Sequence, residues 1–298
     1  MMMLIFLILF RTQPGSAPQE ETYLKRTAAS WLNDLKHQDA KTRRAAAFAL
    51  GKLGKHSLPF VSNLQTLLQQ DSDASVRNAC ASSLGDLVSF ASNEIVPSLI
   101  KSIDREKDTS VRRTLALALG KAGEQAGAAE PSLRKMLDEP DADLRQNAAW
   151  ALGQLGKAAE LAVPRLMTAL NDPQASVRAE VAQALGNLGP LAQEAVPLLT
   201  RSLTDRDTHV QEQCVIALRR MGPLAASAIA SLLTLAESSK ADATLRQSAL
   251  ITIESIWPTG LKEPASWSRL QALAQSANEV AVKTAAQQAE KKVSTLRK

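Results

Sequence analysis

The sequence predicts an all-α fold, a solenoid of about eight helical hairpins stacked in line, and three observations carry the prediction. A thirteen-residue segment recurs without gaps: TRRAAAFALGKLG (42–54), VRNACASSLGDLV (76–88), VRRTLALALGKAG (111–123), LRQNAAWALGQLG (144–156), VRAEVAQALGNLG (177–189), VQEQCVIALRRMG (210–222), LRQSALITIESIW (245–257) and a degraded VKTAAQQAEKKVS (282–294). Its anchor residues are Arg43, Arg77, Arg112, Arg145, Arg178, Gln211, Arg246 and Lys283, spaced 34, 35, 33, 33, 33, 35 and 37 residues apart with no strand-like alternation. Hydrophobic residues make up 45% of the chain and aromatic ones only 3%, a balance that suits many thin Ala- and Leu-filled contacts better than one thick centre.

The elements follow in order. Residues 1–22 form a leader and linker, and the repeats fall approximately at 23–55, 56–90, 91–125, 126–158, 159–191, 192–224, 225–258 and 259–298. Within the leader, MMMLIFLILF is too short for a spanning helix, which needs about 20 apolar residues. It is similar to the apolar centre of a secretory signal but has no basic residues before it, and Pro18 after Ala17 makes a poor cleavage point. Export and a cytoplasmic location therefore both stay open.

Each repeat opens with a first helix, visible in EIVPSLIKSI (94–103), AAEPSLRKML (128–137), LAVPRLMTAL (161–170), EAVPLLTRSL (194–203) and AIASLLTLAE (228–237). Proline in its first turn loses no hydrogen bond. The recurring segment is the second helix. Turning about 100° per residue from the anchor at position 0 places positions −1, +3, +4 and +7 on one face. They read Val76/Cys80/Ala81/Leu84, Val177/Val181/Ala182/Leu185 and Val210/Cys214/Val215/Leu218, which is a core pattern. The two cysteines read as small buried residues four repeats apart, beyond reach of a disulfide.

Glycines at +8 (Gly51, Gly85, Gly120, Gly153, Gly186) would let neighbouring helices approach, and those at +11 (Gly54, Gly123, Gly156, Gly189, Gly222) suit a left-handed helix end. Repeats seven and eight lose both, so the C-terminal end is expected to be the least regular. Four residues before each anchor stands a cap-type residue: Asp39, Asp73, Asp108, Asp141, Gln174, Asp207, Asp242 and Glu279. An anchor arginine on a buried face needs a carboxylate. Pairing within a repeat fails twice, at Arg178 with Gln174 and at Gln211 with Asp207. Pairing with the preceding repeat removes both mismatches: Arg77 with Asp39, Arg112 with Asp73, Arg145 with Asp108, Arg178 with Asp141, Gln211 with Gln174 and Arg246 with Asp207. The expectation is a structural ladder running backwards along the array.

These residues resemble HEAT repeats of the subclass named after phycobilisome lyases, whose second helix reads D-x-x-x-(V/L)-R-x-x-A-x-x-A-L-G-x-x-G. The resemblance covers the chain from about residue 23 to its end. It implies a right-handed α–α superhelix, armadillo-like, with the second helices lining the concave surface. Positions +1, +5 and +9, opposite the core, would then face the groove, and there the repeats stop agreeing. The candidate partner-binding residues are Arg44, Phe48, Lys52, Arg113, Leu117, Lys121, Gln146, Trp150, Gln154, Ile216, Arg220 and Ile251. Aromatic anchors rimmed by polar groups suit a protein-binding groove. The plain alternative is that Trp150 packs on a neighbouring helix. Trp31, Trp257 and Trp267 fall outside the row.

Motifs for chemistry are wanting. None of His37, His56 and His209 is followed by Glu, so the iron-holding pairs of HEAT-type deoxyhypusine hydroxylases are absent, and there is no HExxH, paired CxxC or phosphate-cradling glycine loop. No metal or cofactor is expected. A net charge of +5 is a mild excess, concentrated where residues 25–55 carry eight Lys/Arg against Asp34 and Asp39. The reading is a monomeric, non-catalytic scaffold binding an unidentified protein partner. A phycobilin-lyase-like enzyme or subunit and a nucleic-acid-binding HEAT protein stand as alternatives, the last weakened by Asp86 and Glu212 among the groove cations.

Overall fold

The computed structural model describes residues 21–257, 264–277 and 279–296, so nearly all of the leader lies outside the described residues. The described residues form an all-α superhelix. Repeat one pairs α1 (Ala28–Leu32) with α2 (Ala40–Lys52), and α3 (Val61–Gln70) precedes α4 (Ala74–Ile103). The remaining helices are α5 (Thr109–Ala122), α6 (Glu130–Met136), α7 (Ala142–Gln154), α8 (Val163–Ala169), α9 (Ala175–Leu188), α10 (Val196–Ser202), α11 (Thr208–Met221), α12 (Ile229–Glu237), α13 (Ala243–Ile256), α14 (Pro264–Ser276) and α15 (Val280–Leu296).

Local chemistry sets these boundaries. Asp39, Asp73, Asp108, Asp141, Asp207 and Asp242 each accept a hydrogen bond from a backbone N–H in the first turn of the helix they precede. Gln174 occupies the same place without such a bond, its side chain being longer than the cap geometry favours. At the other end, Gly54, Gly123, Gly156, Gly189 and Gly222 take φ between +53° and +60°, a region that side chains avoid. Each opens a seven-residue 3₁₀ turn into the next first helix, for example Gly189–Ala195 and Gly222–Ala228. Repeat two has Val88 at the glycine position. There the 3₁₀ turn of the other repeats is missing: α4 runs on through the next first helix, broken only at Ala91 (φ −147°, ψ 47°).

One stretch among the described residues, Thr208–Glu237, is long and apolar enough to cross a membrane. It is folded as α11, the turn at Gly222 and α12, a hairpin within the stack rather than a single rod.

The core faces are buried as the periodicity requires. Val76, Cys80, Ala81 and Leu84 are fully inaccessible, and so are Val177, Val181, Ala182 and Leu185. A leucine buried to this degree contributes about 2 kcal/mol. Between repeats the second helices touch in succession, α2 to α4, α5, α7, α9, α11, α13 and α15. The contact is a glycine at +8 set against position +6 of the next repeat. A Cβ built on Gly85 would stand 2.9 Å from Ala118 Cβ, and one on Gly186 would stand 2.7 Å from Ala217 Cα. First helices meet the following repeat largely through its 3₁₀ turn. Tight spacing along the second helices and looser spacing along the first place the second helices on the inside of the curve.

The arginine ladder runs in the direction opposite to the expected one. Arg43 binds Asp71, Arg77 binds Glu106, Arg112 binds Glu139, Arg145 binds Asp172, Arg178 binds Asp205 and Arg246 binds Glu279, each partner belonging to the following repeat. The pairings Arg77–Asp39, Arg112–Asp73, Arg145–Asp108, Arg178–Asp141 and Arg246–Asp207 do not form. The stacking sets each anchor beside the following repeat, not the preceding one, while the cap aspartates hold the first turns of their own helices and Asp141 also takes Arg113. For the first five pairs the clamp comes instead from the residue two before the next cap. Arg178 is typical: Nε and Nη2 meet the two Asp205 oxygens at 2.8 Å, and Nη1 donates to the Asp172 and Pro173 carbonyls. Among the described residues Gln211 pairs with no side chain, in place of the expected Gln174, and its amide donates to the Asp205 carbonyl.

Candidate protein-interaction surface

Helical periodicity carries position +5 to the inner side of each second helix, and the row it forms is partly apolar and partly open. Phe48 is 44% exposed, while Leu117 and Ile251 are each 37% exposed. Trp150 and Ile216 are half-buried, and Ser82 and Gln183 interrupt the row. Phe48 is braced edge-on by Tyr23, ring centroids 6.3 Å apart, and the Lys52 ammonium lies 5.0 Å over its face.

Trp150 has two faces of meaning. Its ring edge lies over Gly120 of the preceding repeat, where a built Cβ would collide with Cζ3. The absence of a side chain at Gly120 thus makes the seat for the indole. It packs on the neighbouring helix, as the plain alternative has it, and still borders the groove. Trp31 and Trp257 are buried, and Trp267 packs partly against the core.

Several groove polar groups are tied to one another rather than free. Arg113 reaches forward to Asp141 and also to Asp143, at 2.8 Å. Lys52 and Lys121, two repeats apart, both bind Asp86 in the repeat between them, at 3.4 and 2.7 Å. Arg220 donates to the Asn187 side-chain oxygen. Arg44 is exposed and Gln154 half-buried.

Two further groups belong to this surface, Glu180, which the sequence reading passed over, and Asp86, which it named only as an interruption of the cations. Glu180, half-buried between repeats four and six, has its carboxyl pushed up by burial, opposed by a Gln146 hydrogen bond and the charge of His209. Asp86 joins the two lysines. Asp86 was visible as the acidic member of an otherwise basic or neutral +9 row, but its bridging of two lysines was not. Glu180 had none, because its burial depends on how repeats stack.

Between Phe48 and the next two repeats the small residues Ala45, Ala79 and Ser82 floor a notch of about 690 Å³, with Arg44, Asn78 and Asp108 on its rim. Chemically the surface can grip side chains. Cys80 and Cys214 are buried thiols, both pushed up by burial, Cys214 to about 12, which leaves no thiolate at neutral pH. Among the described residues no group of three His, Cys, Asp or Glu side chains is placed to hold a metal ion.

A family model described as HEAT repeats matches residues 28–106, 96–174 and 163–254. These matches run over more than half of the sequence, and the chain belongs to the HEAT-repeat family. Among solved structures, the complex of CpcE and CpcF of phycocyanin lyase from Nostoc sp. PCC7120 is similar with a TM-score of 0.52 at 22% identity, covering 93% of this chain and 99% of that one. An archaeal HEAT-like repeats protein from Thermococcus onnurineus NA1 gives 0.54 at 15% identity, covering 80% and 98%. Importin beta gives 0.58 at 14% identity over 91% of this chain and 42% of its own. At such identities the likeness shows the fold. No curated protein matches the chain.

Proposed function

We propose that the chain is a non-catalytic scaffold that binds a protein partner in its concave groove. The observation that carries this reading is the apolar row at +5. Phe48, Leu117 and Ile251 stay open to solvent on the face where the repeats diverge, whereas the face where they agree is sealed. A groove of this kind offers anchors for partner side chains with polar groups around them. The notch floored by Ala45, Ala79 and Ser82 offers space for one inserted side chain.

The test is affinity capture from the native host with the wild-type chain and with Phe48→Ala/Leu117→Ala. The pair is chosen because both side chains are exposed. The expected outcome is a partner that is lost from the double variant while helicity and melting temperature hold. A partner retained at wild-type level would count against the groove. Incubation with free bilin is expected to yield no covalent coloured adduct, and an adduct would turn the reading to a lyase.

A further inference from the structure

The ladder has one broken rung, and the break is filled by a cleft. Where five junctions place a carboxylate two residues before the next cap (Asp71, Glu106, Glu139, Asp172, Asp205), the junction between repeats six and seven places Lys240. Its partner is Gln211 in place of an arginine. Both ends of the rung have changed together, so a neutral ion pair has become a lone cation. The Lys240 ammonium has no partner among the described residues.

The space left behind is large. With the clamp in place, the corresponding clefts at Arg77–Glu106 and Arg178–Asp205 hold about 290 and 470 Å³. At Gln211 and Lys240 the cleft between α10 and α12 holds about 1070 Å³. Arg201 and Arg206 line it beside Lys240, against the single carboxylate of Asp242, and Leu203 and Leu235 supply apolar wall. Asp242 is engaged as a helix cap. Arg201 and Arg206 stand on the wall shared with the neighbouring Arg178–Asp205 cleft, where among the described residues each donates one hydrogen bond, to the Asn171 side chain and the Pro173 carbonyl, and keeps its other N–H groups for a further acceptor.

We propose that this cleft binds a carboxylate group carried on an apolar stem, which takes the place of the missing clamp carboxylate. The group is an acid because three cationic side chains line the cleft against one carboxylate, and a carboxylate is the anion that the other junctions pair with their arginines. The cations pair with it and the leucines receive the stem. The site lies on the loop edge of the array, away from the +5 row, and does not depend on the groove reading.

The test follows amide shifts by NMR on the full chain during titration with hexanoate, hexan-1-ol and blocked acetyl-Leu-Glu-Leu-amide. Hexanoate, the peptide or both are expected to give saturable shifts around Gln211 and Lys240. Binding of hexanoate alone identifies a free acid as the source, and of the peptide alone an acidic side chain of a protein. Lys240→Met is expected to weaken binding about tenfold or more. Gln211→Arg/Lys240→Glu rebuilds the rung, and it is expected to abolish binding and raise the melting temperature. No saturable shift with either acid, equal binding of hexan-1-ol, or undiminished binding by the rebuilt rung would overturn the proposal.

Discussion

An arginine as buried as Arg178, 6% exposed, is stable only because its whole guanidinium fork is used. Two nitrogens meet one carboxylate and the third bridges two carbonyls, which ties two adjacent loops together. Removing either partner strands the other, so Arg178→Gln or Asp205→Asn is expected to cost about 2–3 kcal/mol in urea unfolding. A double-mutant cycle should show coupling of about 1 kcal/mol or more between Arg178 and Asp205, and additivity between Arg178 and Asp141. Coupling to Asp141 instead would restore the backward ladder.

The same rungs set an acid limit. The Arg43 guanidinium holds the Asp71 carboxyl below its ordinary 3.8. At Asp172 and Asp205 burial works the other way, but the arginine bonds prevail and both are also lowered. A depressed folded pKa gives stability that is complete above the unfolded value and is lost as pH falls through the folded one. The rungs' contribution to the urea midpoint is therefore expected to be complete above about pH 5 and to fall below about pH 4, while the raised Glu180 carboxyl works in the opposite sense, lowering stability as it ionises. Asp71→Asn should lower the plateau and reduce the acid slope.

At the scale of the element, helix propensity and packing disagree about glycine. Alanine in a helix interior is favoured over glycine by about 1 kcal/mol. At Gly186 the added Cβ would stand 2.7 Å from the Ala217 backbone, which cannot yield without moving the next helix. Gly186→Ala is therefore expected to destabilise by about 1–3 kcal/mol, the sign opposite to propensity, as read from thermal or urea unfolding. Trp150 belongs to the same contact layer. Its seating over Gly120 means that Trp150→Ala lowers stability by about 2 kcal/mol, whereas the more open Phe48→Ala and Leu117→Ala each cost about 1 kcal/mol or less. Groove variants intended to read binding alone are thus the exposed ones.

Across the whole molecule each repeat touches little beyond its neighbours, so stability is passed along the stack. The C-terminal layers hold on by less. Repeats seven and eight have no glycine at +8, and the last rung, Arg246 with Glu279, joins through one contact to a half-exposed carboxylate. Hydrogen exchange is expected to show α14 and α15 opening well before α9 and α11. Uniform protection along the array would contradict a stack held by nearest-neighbour contacts.

The amino-acid order by itself determined the repeat, its helices and its core, because burial on one side of a helix imposes a period that needs no partner to be read. It also placed the caps at the aspartates and the turns at Gly54 to Gly222, since those are local demands of the backbone. The broken rung was half legible: Gln211 stood out among the anchors, but Lys240 becomes its counterpart only once the ladder is seen to run forward. Only the tertiary structure decided the direction of the ladder, the seat of Trp150 on Gly120, the burial of Glu180 and the pairing of Arg113 with Asp141. Each of these depends on how far one repeat is displaced and turned against the next. A period along the chain leaves that displacement open, and it is set by the close approach of backbones at the glycines.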